Sequence, residues 1–345
     1  MNQDELFMKR AIQIARCGEA GVAPNPMVGA VIVYDGKVIG EGYHRRYGCP
    51  HAEVNAINSV HKSELLKEST IYVTLEPCSH WGKTPPCCDL IIDKGFKRVV
   101  VGMQDPNQKV NGHGIERIRQ AGIEVRVGVL KEDCEALNRS FLTFHRMKRP
   151  FITLKWAQTS DGVIGIKGKE QDAELSHAQV LRISTPMNQM LMHRLRTRAQ
   201  AIMVGTETAL NDNPELTARL WNGPSPLRIT IDRHGRLGKD LKMLTSGPET
   251  VVYKNQILGE IIYDLHRRGI QHLIVEGGKK LLESFINAGL WDEARVEYGS
   301  LELREQADCN GCRITYAPIL KSAKIISETM IDGHKVLILL NSKPQ

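Results

Sequence analysis

One histidine and two cysteines, separated by fixed intervals in the first third of the chain, constrain its fold more than any other feature. His51 is followed two positions later by Glu53, and the cysteines are Cys78 and Cys87. Residues two apart in the middle of a helix point to different faces, so His51 and Glu53 can converge only at the very start of a helix. Pro50 supports that placement because proline is favoured in a first turn. The fold must therefore bring this helix start to the two cysteines.

These residue types indicate a catalytic zinc site. Three nitrogen and sulfur ligands leave one tetrahedral position open, and zinc lowers the pKa of water bound there to about 7. Glu53, beside the metal, can take that water's proton and pass it to departing ammonia. His-x-Glu followed by Pro-Cys and a second cysteine matches the known signature of zinc deaminases. The signature separates its cysteines by two residues, whereas eight lie between Cys78 and Cys87.

The remaining cysteines fit a metal site less well. Cys87 opens an apolar run that predicts a helix, whose terminal N–H groups favour a thiolate, but Cys88 beside it has an equal claim by spacing alone. Cys309 and Cys312 form a single C-x-x-C without a second pair, which is incomplete for zinc and indicates a structural or incidental role. We interpret the others as packing residues: Cys17, Cys49 and Cys134.

Composition narrows the class of protein. A chain of 345 residues favours about two domains, and no apolar run approaches the ~18 residues of a membrane helix. Asp4 and Glu5 stand where a secretion signal would be basic and then apolar, so we expect a cytoplasmic protein without disulfides. The net charge of +7 comes from scattered basic residues, which does not favour a nucleic-acid or membrane partner.

Apolar periodicity predicts alternating helices and strands, an α/β pattern, in both halves of the chain. A basic, polar stretch over 144–150 separates the halves, and we place a boundary there, with domains at 1–147 and 148–345. Strands are predicted at 28–33, 38–42, 69–75, 98–103, 124–129, 151–156, 201–205, 227–232, 250–254, 272–276 and 335–340. In the second half, the strand over 272–276 continues through Gly277 and Gly278 into a helix over 279–288, a turn whose N–H groups can hold a phosphate.

At these residues the sequence resembles the bifunctional riboflavin-biosynthesis deaminase/reductase family of RibD type. The likeness covers nearly the whole chain and includes the long cysteine interval and the segments 24–29, 42–44, 105–107 and 210–219. It implies a cytidine-deaminase-like three-layer domain followed by a dihydrofolate-reductase-like α/β domain, and with them Zn²⁺ and NADPH. The implied reactions are deamination of a phosphoribosylamino-pyrimidine and reduction of its ribosyl group to ribityl, and the implied assembly is a homodimer.

The resemblance also assigns residues of the second half. Implied NADP contacts are Ala157, Thr208, Asp212 and the turn Gly278, Lys279, Lys280, Leu281, Leu282, Glu283 and Ser284. Implied substrate contacts are Arg196, Leu216, Arg219 and Glu276, and arginine suits a phosphate because its planar fork pairs with it bidentately. Arg233 follows a predicted strand where the family has a cofactor contact, and we expect it to favour the 2′-phosphate of NADPH, with Arg236 or a lysine as alternatives. Lys155 and Asp161 match a further family segment, and their roles stay open.

Two stretches depart from the family pattern. Residues 166–180 look like an insertion, and residues 301–312 replace a segment that is commonly rich in glycine, so contacts there cannot be transferred. Two other functions remain: a nucleic-acid base deaminase with an appended binding domain, and an enzyme whose second half is a regulatory ligand-binding module. Aromatic residues are only 5% of the chain, which disfavours a stacking groove for single strands. Oxidation of NADPH with deaminated substrate would exclude the regulatory module.

Overall fold

The computed structural model describes residues 1–81, 85–106, 111–167, 182–303 and 313–343. The chain divides into two compact units, Met1–Met147 and Lys148–Gln345. Across these described ranges, the helices are too short or too polar to cross a membrane.

The first unit is built on a five-stranded sheet. Its strands are β1 (Gly29–Tyr34), β2 (Lys37–Tyr43), β3 (Thr70–Leu75), β4 (Arg98–Met103) and β5 (Glu124–Val127). The order is β2-β1-β3-β4-β5, in which β1 runs antiparallel to both neighbours while β3, β4 and β5 are parallel. The helices are α1 (Gln3–Ala15), α2 (Ala52–Asn58), α3 (Cys87–Lys94), α4 (His113–Gln120), α5 (Lys131–Leu137) and α6 (Arg139–Met147), with 3-10 turns at Arg16–Gly18 and Ser63–Glu68.

Helices cover both faces of this sheet because its central strands are apolar on both sides. On β3, Ile71 and Val73 pack with α2, α3 and α4, whereas Tyr72 packs with α1, α5 and α6. Burial of alternate residues on opposite faces gives the three layers of the predicted cytidine-deaminase-like fold. The layer of α2, α3 and α4 carries the residues singled out for metal binding.

The second unit contains a larger sheet. The described strands of this unit are β6 (Phe151–Gln158), β7 (Val163–Lys167), β8 (Ala201–Gly205), β9 (Leu227–Ile231), β10 (Thr250–Tyr253), β11 (His272–Glu276), β12 (Glu293–Tyr298), β13 (Arg313–Tyr316), β14 (Ala323–Ile331) and β15 (His334–Asn341). The eight-stranded sheet has the order β10-β9-β8-β11-β6-β12-β15-β14, parallel from β10 to β12 and antiparallel beyond, and β7 pairs with β13 separately. The helices are α7 (Pro186–Arg198), α8 (Thr206–Asp212), α9 (Lys242–Thr245), α10 (Leu258–Arg267) and α11 (Lys279–Asn287).

The two faces of the larger sheet differ in polarity. One face packs apolar side chains against α10 and α11, with Phe285 fully buried between them and the strands. The other face lies under α7, α8 and α9 and includes Met192 and Ala209 of that layer. On this second face the register aligns Glu276 of β11, Lys155 of β6 and Arg295 of β12 in one charged row. Charged side chains inside a sheet indicate a site rather than a simple core.

Candidate active sites

The start of α2 positions His51 and Glu53. His51 is the N-cap residue with extended backbone, and Glu53 follows in the first turn with only 3% of its surface exposed. Gly42 of β2 lets the helix approach closely, since a Cβ there would lie 2.2 Å from the backbone nitrogen of Ala56. Close packing of α2 on the sheet therefore directs a histidine and a buried carboxyl group to one point.

Cys78 and Cys87 complete this cluster. Cys78 lies in the loop after β3, and Cys87 is the first residue of α3. The Sγ atoms of Cys78 and Cys87 lie 3.6 Å and 3.3 Å from His51 Nδ1. The backbone N–H of Cys87 donates to Cys78 Sγ over 3.3 Å, and the three possible ligand atoms lie within 4.8 Å of one another. Two sulfurs and an imidazole at such distances fit the donor set of a catalytic zinc.

The electrostatics of the cluster favour a bound cation. The thiol of Cys87 donates to Cys78 Sγ, and this hydrogen bond, together with His51, lowers the pKa of Cys78. The same hydrogen bond and burial raise the pKa of Cys87. Burial raises the pKa of Glu53 to about 7, and the charge of Cys78 adds to this effect. A buried carboxyl group with a pKa near neutrality is suited to accepting and returning a proton.

Helix phase separates the two adjacent cysteines. Cys88 is fully buried, and its Sγ donates to Asp89 Oδ1 over 3.4 Å, away from the cluster. Burial also raises the pKa of Cys88 to about 12, which opposes thiolate formation. Among the predicted packing cysteines, Cys134 is buried, but the prediction is wrong for Cys17 and Cys49, which are exposed. Cys309 and Cys312 lie outside the described residues.

Two polar residues beside the cluster were not singled out by sequence reasoning. The imidazole of His44 is buried, with Nδ1 3.1 Å from the carbonyl oxygen of Pro50 and Nε2 3.0 Å from Asn25 Nδ2. Its ring centroid lies 5.4 Å from that of His51. Both residues fall in segments that carry the family resemblance, so that signal could have found them.

In the second unit, Arg196 of α7 and Glu276 at the end of β11 form an ion pair of 2.9 Å, with only 11% and 13% of their side chains exposed. Arg196 also donates to the carbonyl oxygen of Thr217 over 2.9 Å. Two buried atoms of the pair, Arg196 Nε and Glu276 Oε1, have no hydrogen-bond partner among the described residues. Burial raises the pKa of Glu276, but the charges of Arg196 and Lys155 outweigh this effect and lower the pKa below its usual value. Buried polar atoms without hydrogen-bond partners are expected where a bound ligand supplies the missing partners.

The loop after α8 carries the other two implied substrate residues, and their side chains differ in exposure. Leu216 has a positive φ of 57° and a side chain buried in the apolar cluster under α7, so only its main chain can face a ligand. Arg219 is exposed and pairs at 3.5 Å with Glu215. His193 of α7 holds the loop by accepting the N–H of Leu220 at 3.1 Å. The loop thus offers an accessible guanidinium at Arg219 and is attached to α7 through His193.

Two of the implied cofactor residues, Thr208 and Gly278, meet beyond the carboxyl ends of parallel strands β8 and β11. Thr208 Oγ1 accepts the N–H of Gly278 over 3.0 Å, which joins the start of α8 to the start of α11. Gly277 has a φ of 146°, open to glycine alone, and a Cβ there would lie 3.2 Å from Thr208 Oγ1. Ligands of open α/β sheets bind at this edge.

The other implied cofactor residues lie on β6, at the end of α8, after β9 and in α11. Ala157 is half-buried near the end of β6, and Asp212 ends α8. Leu281 and Leu282 turn their side chains into the core, so the helix start offers N–H groups there. Arg233 is exposed after β9, whereas Arg236 already pairs with Glu207 at 2.7 Å. The remaining turn residues, Lys279, Lys280, Glu283 and Ser284, belong to α11.

Comparison with known proteins defines the class. The family model for the cytidine and deoxycytidylate deaminase zinc-binding region matches residues 1–103, and the model for the RibD C-terminal domain matches residues 150–302. The chain is therefore a zinc-dependent deaminase joined to an NADPH-dependent reductase, in an α/β fold of a cytidine-deaminase-like and a dihydrofolate-reductase-like domain.

Relatives over the full length identify the family. The riboflavin biosynthesis protein RibD of Aquifex aeolicus is 39% identical over 316 residues, which cover 85% of this chain and 86% of that one. A Thermotoga maritima diaminohydroxyphosphoribosylaminopyrimidine deaminase/5-amino-6-(5-phosphoribosylamino)uracil reductase superposes with a TM-score of 0.82 and 35% identity, covering 98% and 99% of the two chains. RibD of Acinetobacter baumannii gives a TM-score of 0.85 at 29% identity, with 99% of both chains covered. The chain belongs to the RibD family of bifunctional deaminase/reductases of riboflavin biosynthesis.

Proposed function

We propose that the chain catalyses two consecutive steps on one phosphorylated pyrimidine. The first replaces an amino group of 2,5-diamino-6-(5-phosphoribosylamino)pyrimidin-4-one by a carbonyl oxygen from water, with release of ammonia. The second uses NADPH to reduce the ribosyl group, which gives 5-amino-6-(5-phosphoribitylamino)uracil. The observation that carries the proposal is the cluster of His51, Cys78 and Cys87 around buried Glu53, in a chain that also carries a nucleotide-type turn. The activities named for the Thermotoga maritima protein support it.

We assign the deamination to residues 1–147. His51, Cys78 and Cys87 would hold one zinc ion, because their ligand atoms lie within 4.8 Å of one another. When bound, zinc acts as a Lewis acid that makes water a nucleophile at neutral pH. The carboxyl group of Glu53 accepts the proton that water gives up and returns it to the departing amino group. Its burial excludes bulk water from that transfer.

We assign the reduction to residues 148–345. The N–H groups at the start of α11, with Thr208, Asp212 and Ala157, would hold the phosphates and nicotinamide of NADPH, which supplies the hydride. Arg196 and Glu276 would orient the sugar, because each retains a buried polar atom for it. Arg219 and the main chain at Leu216 would bind the substrate's phosphate end, where an exposed guanidinium forms charge-assisted hydrogen bonds.

We further propose a homodimer. β14 is an edge strand of the large sheet, and its apolar residues Ile325, Ile326 and Met330 are 52%, 41% and 65% exposed. Exposed apolar edge strands tend to pair unless they are covered. Light scattering after size-exclusion chromatography should give twice the chain mass, and Met330→Lys should reduce it to one chain mass.

A cytoplasmic location is also proposed. Free thiols in the metal cluster require a reducing compartment. Cell fractionation would test this location, and recovery of the protein in an oxidising compartment would contradict it.

A single preparation tests the catalytic proposal. Ammonia release and NADPH oxidation should both be measured on the diamino-pyrimidine substrate, together with zinc content. We expect one zinc per chain, ammonia release without NADPH, and NADPH oxidation only after ammonia appears. NADPH oxidation that precedes ammonia release would reverse the proposed order, and a lack of NADPH oxidation would refute the reductase assignment.

A further inference from the structure

Glu76 directly follows β3, outside the residues assigned above, and its side chain is 4% exposed. Both of its carboxyl oxygens accept backbone N–H groups, one from the loop after β4 and the others from the start of α4. Oε1 accepts from Gly114 at 3.0 Å and from Ile115 at 3.4 Å. Oε2 accepts from Gly112 at 2.9 Å and from Asp105 at 3.2 Å. One buried side chain therefore fixes the start of α4 to the end of β3.

A glycine in α4 brings the same helix onto the loop that carries Cys78. A Cβ on Gly114 would lie 2.1 Å from the carbonyl oxygen of Pro77, a distance that no side chain can occupy. Pro77 immediately precedes Cys78. The helix thus contacts the main chain one residue before the sulfur.

An arginine of α4 holds the other side of that loop. Arg117 Nη1 donates to the carbonyl oxygen of Ser79 over 3.2 Å, and Ser79 immediately follows Cys78. The same guanidinium pairs with Asp89 at 2.6 Å, in the first turn of α3. Since α3 begins at Cys87, this one side chain connects the loop of one cysteine with the helix of the other.

Cys78 itself lies in a loop, where α3 contacts it through two N–H groups, that of Cys87 on its Sγ and that of Cys88 on its carbonyl oxygen. Its neighbours on both sides are held by α4, which is packed against α3. Groups that orient metal ligands without touching the metal typically change metal affinity 10- to 100-fold when they are altered. The contacts of α4 are placed to do this for Cys78.

We propose that Glu76, Gly114 and Arg117 are positioning residues that hold Cys78 at metal-binding distance and so slow the release of zinc. This inference rests on the proposed role of Cys78 as a zinc ligand. It assigns to α4 a function in the metal site, although no residue of that helix is among the predicted ligands.

Zinc release tests the proposal directly. In Glu76→Gln an amide nitrogen replaces one carboxyl oxygen and cannot accept a hydrogen bond. The backbone N–H groups that face this nitrogen therefore lose their acceptor. We expect zinc transfer to an excess of a colorimetric chelator to become 10- to 100-fold faster than in the wild type, a change in metal affinity of about that size. Excess zinc should restore most of the deaminase rate, because Glu76 positions a ligand and takes no part in proton transfer. The matched control is Glu116→Gln, an exposed carboxylate of the same helix, which should release zinc at the wild-type rate.

NADPH oxidation on deaminated substrate, measured on the same chain, reports whether the reductase remains folded. If Glu76→Gln unfolds the first unit, Arg117→Met decides, since this half-exposed residue can change without disturbing the core. We expect several-fold faster zinc release in that variant. Release at the wild-type rate in a folded Glu76→Gln, or in Arg117→Met, would overturn the proposal. A wild type that binds no zinc would instead refute the ligand assignment itself.

Discussion

The two sites differ in how their parts are distributed along the chain. Three candidate zinc ligands and the acid–base group come from 37 residues, at the starts of two helices and in the loop after β3, with distances already suited to a metal. The candidate reductase residues extend from Ala157 to Ser284 and come from strand ends, loops and helices. A concentrated site fails when one atom is removed, whereas a dispersed site shares its binding energy among many contacts. Single substitutions should therefore nearly abolish activity in the first unit and reduce it by degrees in the second.

The largest expected effect distinguishes the adjacent cysteines. Cys87→Ser should remove nearly all zinc and with it deamination, because the Sγ 3.3 Å from His51 Nδ1 is lost. Cys88→Ser should retain one zinc per chain, since that sulfur faces Asp89. Metal content by mass spectrometry is the measurement. Zinc loss in Cys88→Ser alone would show that the ligand assignment is reversed.

Glu53→Gln should have the next largest effect and separate metal binding from proton transfer. The amide is close in shape but cannot carry a proton, so we expect a 10²- to 10⁴-fold slower deamination, the usual value of a general acid–base. Zinc content and NADPH oxidation on deaminated substrate should be unchanged. A variant that deaminates at more than a tenth of the wild-type rate would exclude Glu53 from the mechanism.

Arg219→Ala tests whether the dispersed site responds by degrees. Loss of a charge-assisted hydrogen bond, about 1.5–3 kcal/mol, should lower kcat/KM of reduction about 10- to 150-fold. Thermal stability should hardly change, because the ion pair of Arg219 with Glu215 is exposed.

Arg196→Ala should instead lower stability. It leaves the largely buried carboxylate of Glu276 without its ion-pair partner, which should cost about 3–5 kcal/mol of unfolding free energy. Both variants should still deaminate, and impaired deamination in Arg219→Ala would contradict independent sites.

Mixing extends this test to the passage of the intermediate. Glu53→Gln and Arg219→Ala, each defective in one step, should together convert the starting pyrimidine to the ribityl product if the intermediate diffuses between molecules. Product formed by neither variant alone but by the mixture is the expected result. Without it, the intermediate would have to stay within one molecule.

Cofactor preference should change less. Arg233 is exposed after β9, whereas Arg236 is paired with Glu207. Arg233→Ala should reduce the preference for NADPH over NADH about tenfold, as expected for one charge-assisted contact to the 2′-phosphate. Arg236→Ala should have a smaller effect. Equal use of NADH and NADPH by the wild type would remove the basis of this prediction.

The smallest effect concerns pH and the reductase unit. Burial, with the nearby charges of Arg196 and Arg219, lowers the pKa of His193 to about 4. The unfolded chain binds the proton near pH 6.5, so stability falls as pH decreases from about 6.5 to about 4. His193→Asn keeps an acceptor for Leu220 and does not titrate, so melting temperature should decline less over this range. His234→Asn, which changes an exposed histidine, should follow the wild type.

The two sites also differ in how far the sequence predicts their residues. The metal cluster is predictable because cysteine and histidine at helix starts form a rare combination. Spacing does not decide between Cys87 and Cys88, since only the phase of α3 shows which sulfur faces His51. Apart from the turn at Gly277 and Gly278, the reductase residues follow from resemblance, because strand ends and polar loops occur throughout α/β proteins and their side chains meet only after folding.

The strands show which elements an apolar sequence pattern can predict and which it cannot. The predicted strands 201–205 and 272–276 have the same bounds as β8 and β11, whose residues are mostly apolar and buried. The pattern does not predict β12, although it lies inside the sheet, because Arg295 and Glu297 make it look polar. Glu297 is buried and accepts hydrogen bonds from Ser184 and His334, so its partners come from distant positions. Helix α7 is missed for a related reason: its buried residues include Asn188, His193 and Thr197, which do not form an apolar stripe.

The incomplete pairing of Arg196 with Glu276 makes the reductase unit a reporter of its own substrate. Arg196 Nε and Glu276 Oε1 lie buried without hydrogen-bond partners among the residues that the structure describes, a desolvation cost that hydroxyl groups of a bound sugar would relieve. Any ligand that binds only the folded state raises stability by mass action, by about 2.7 kcal/mol at a hundred times its Kd. The melting temperature of this unit should therefore record how much intermediate is present, which gives a titration that needs neither cofactor nor turnover.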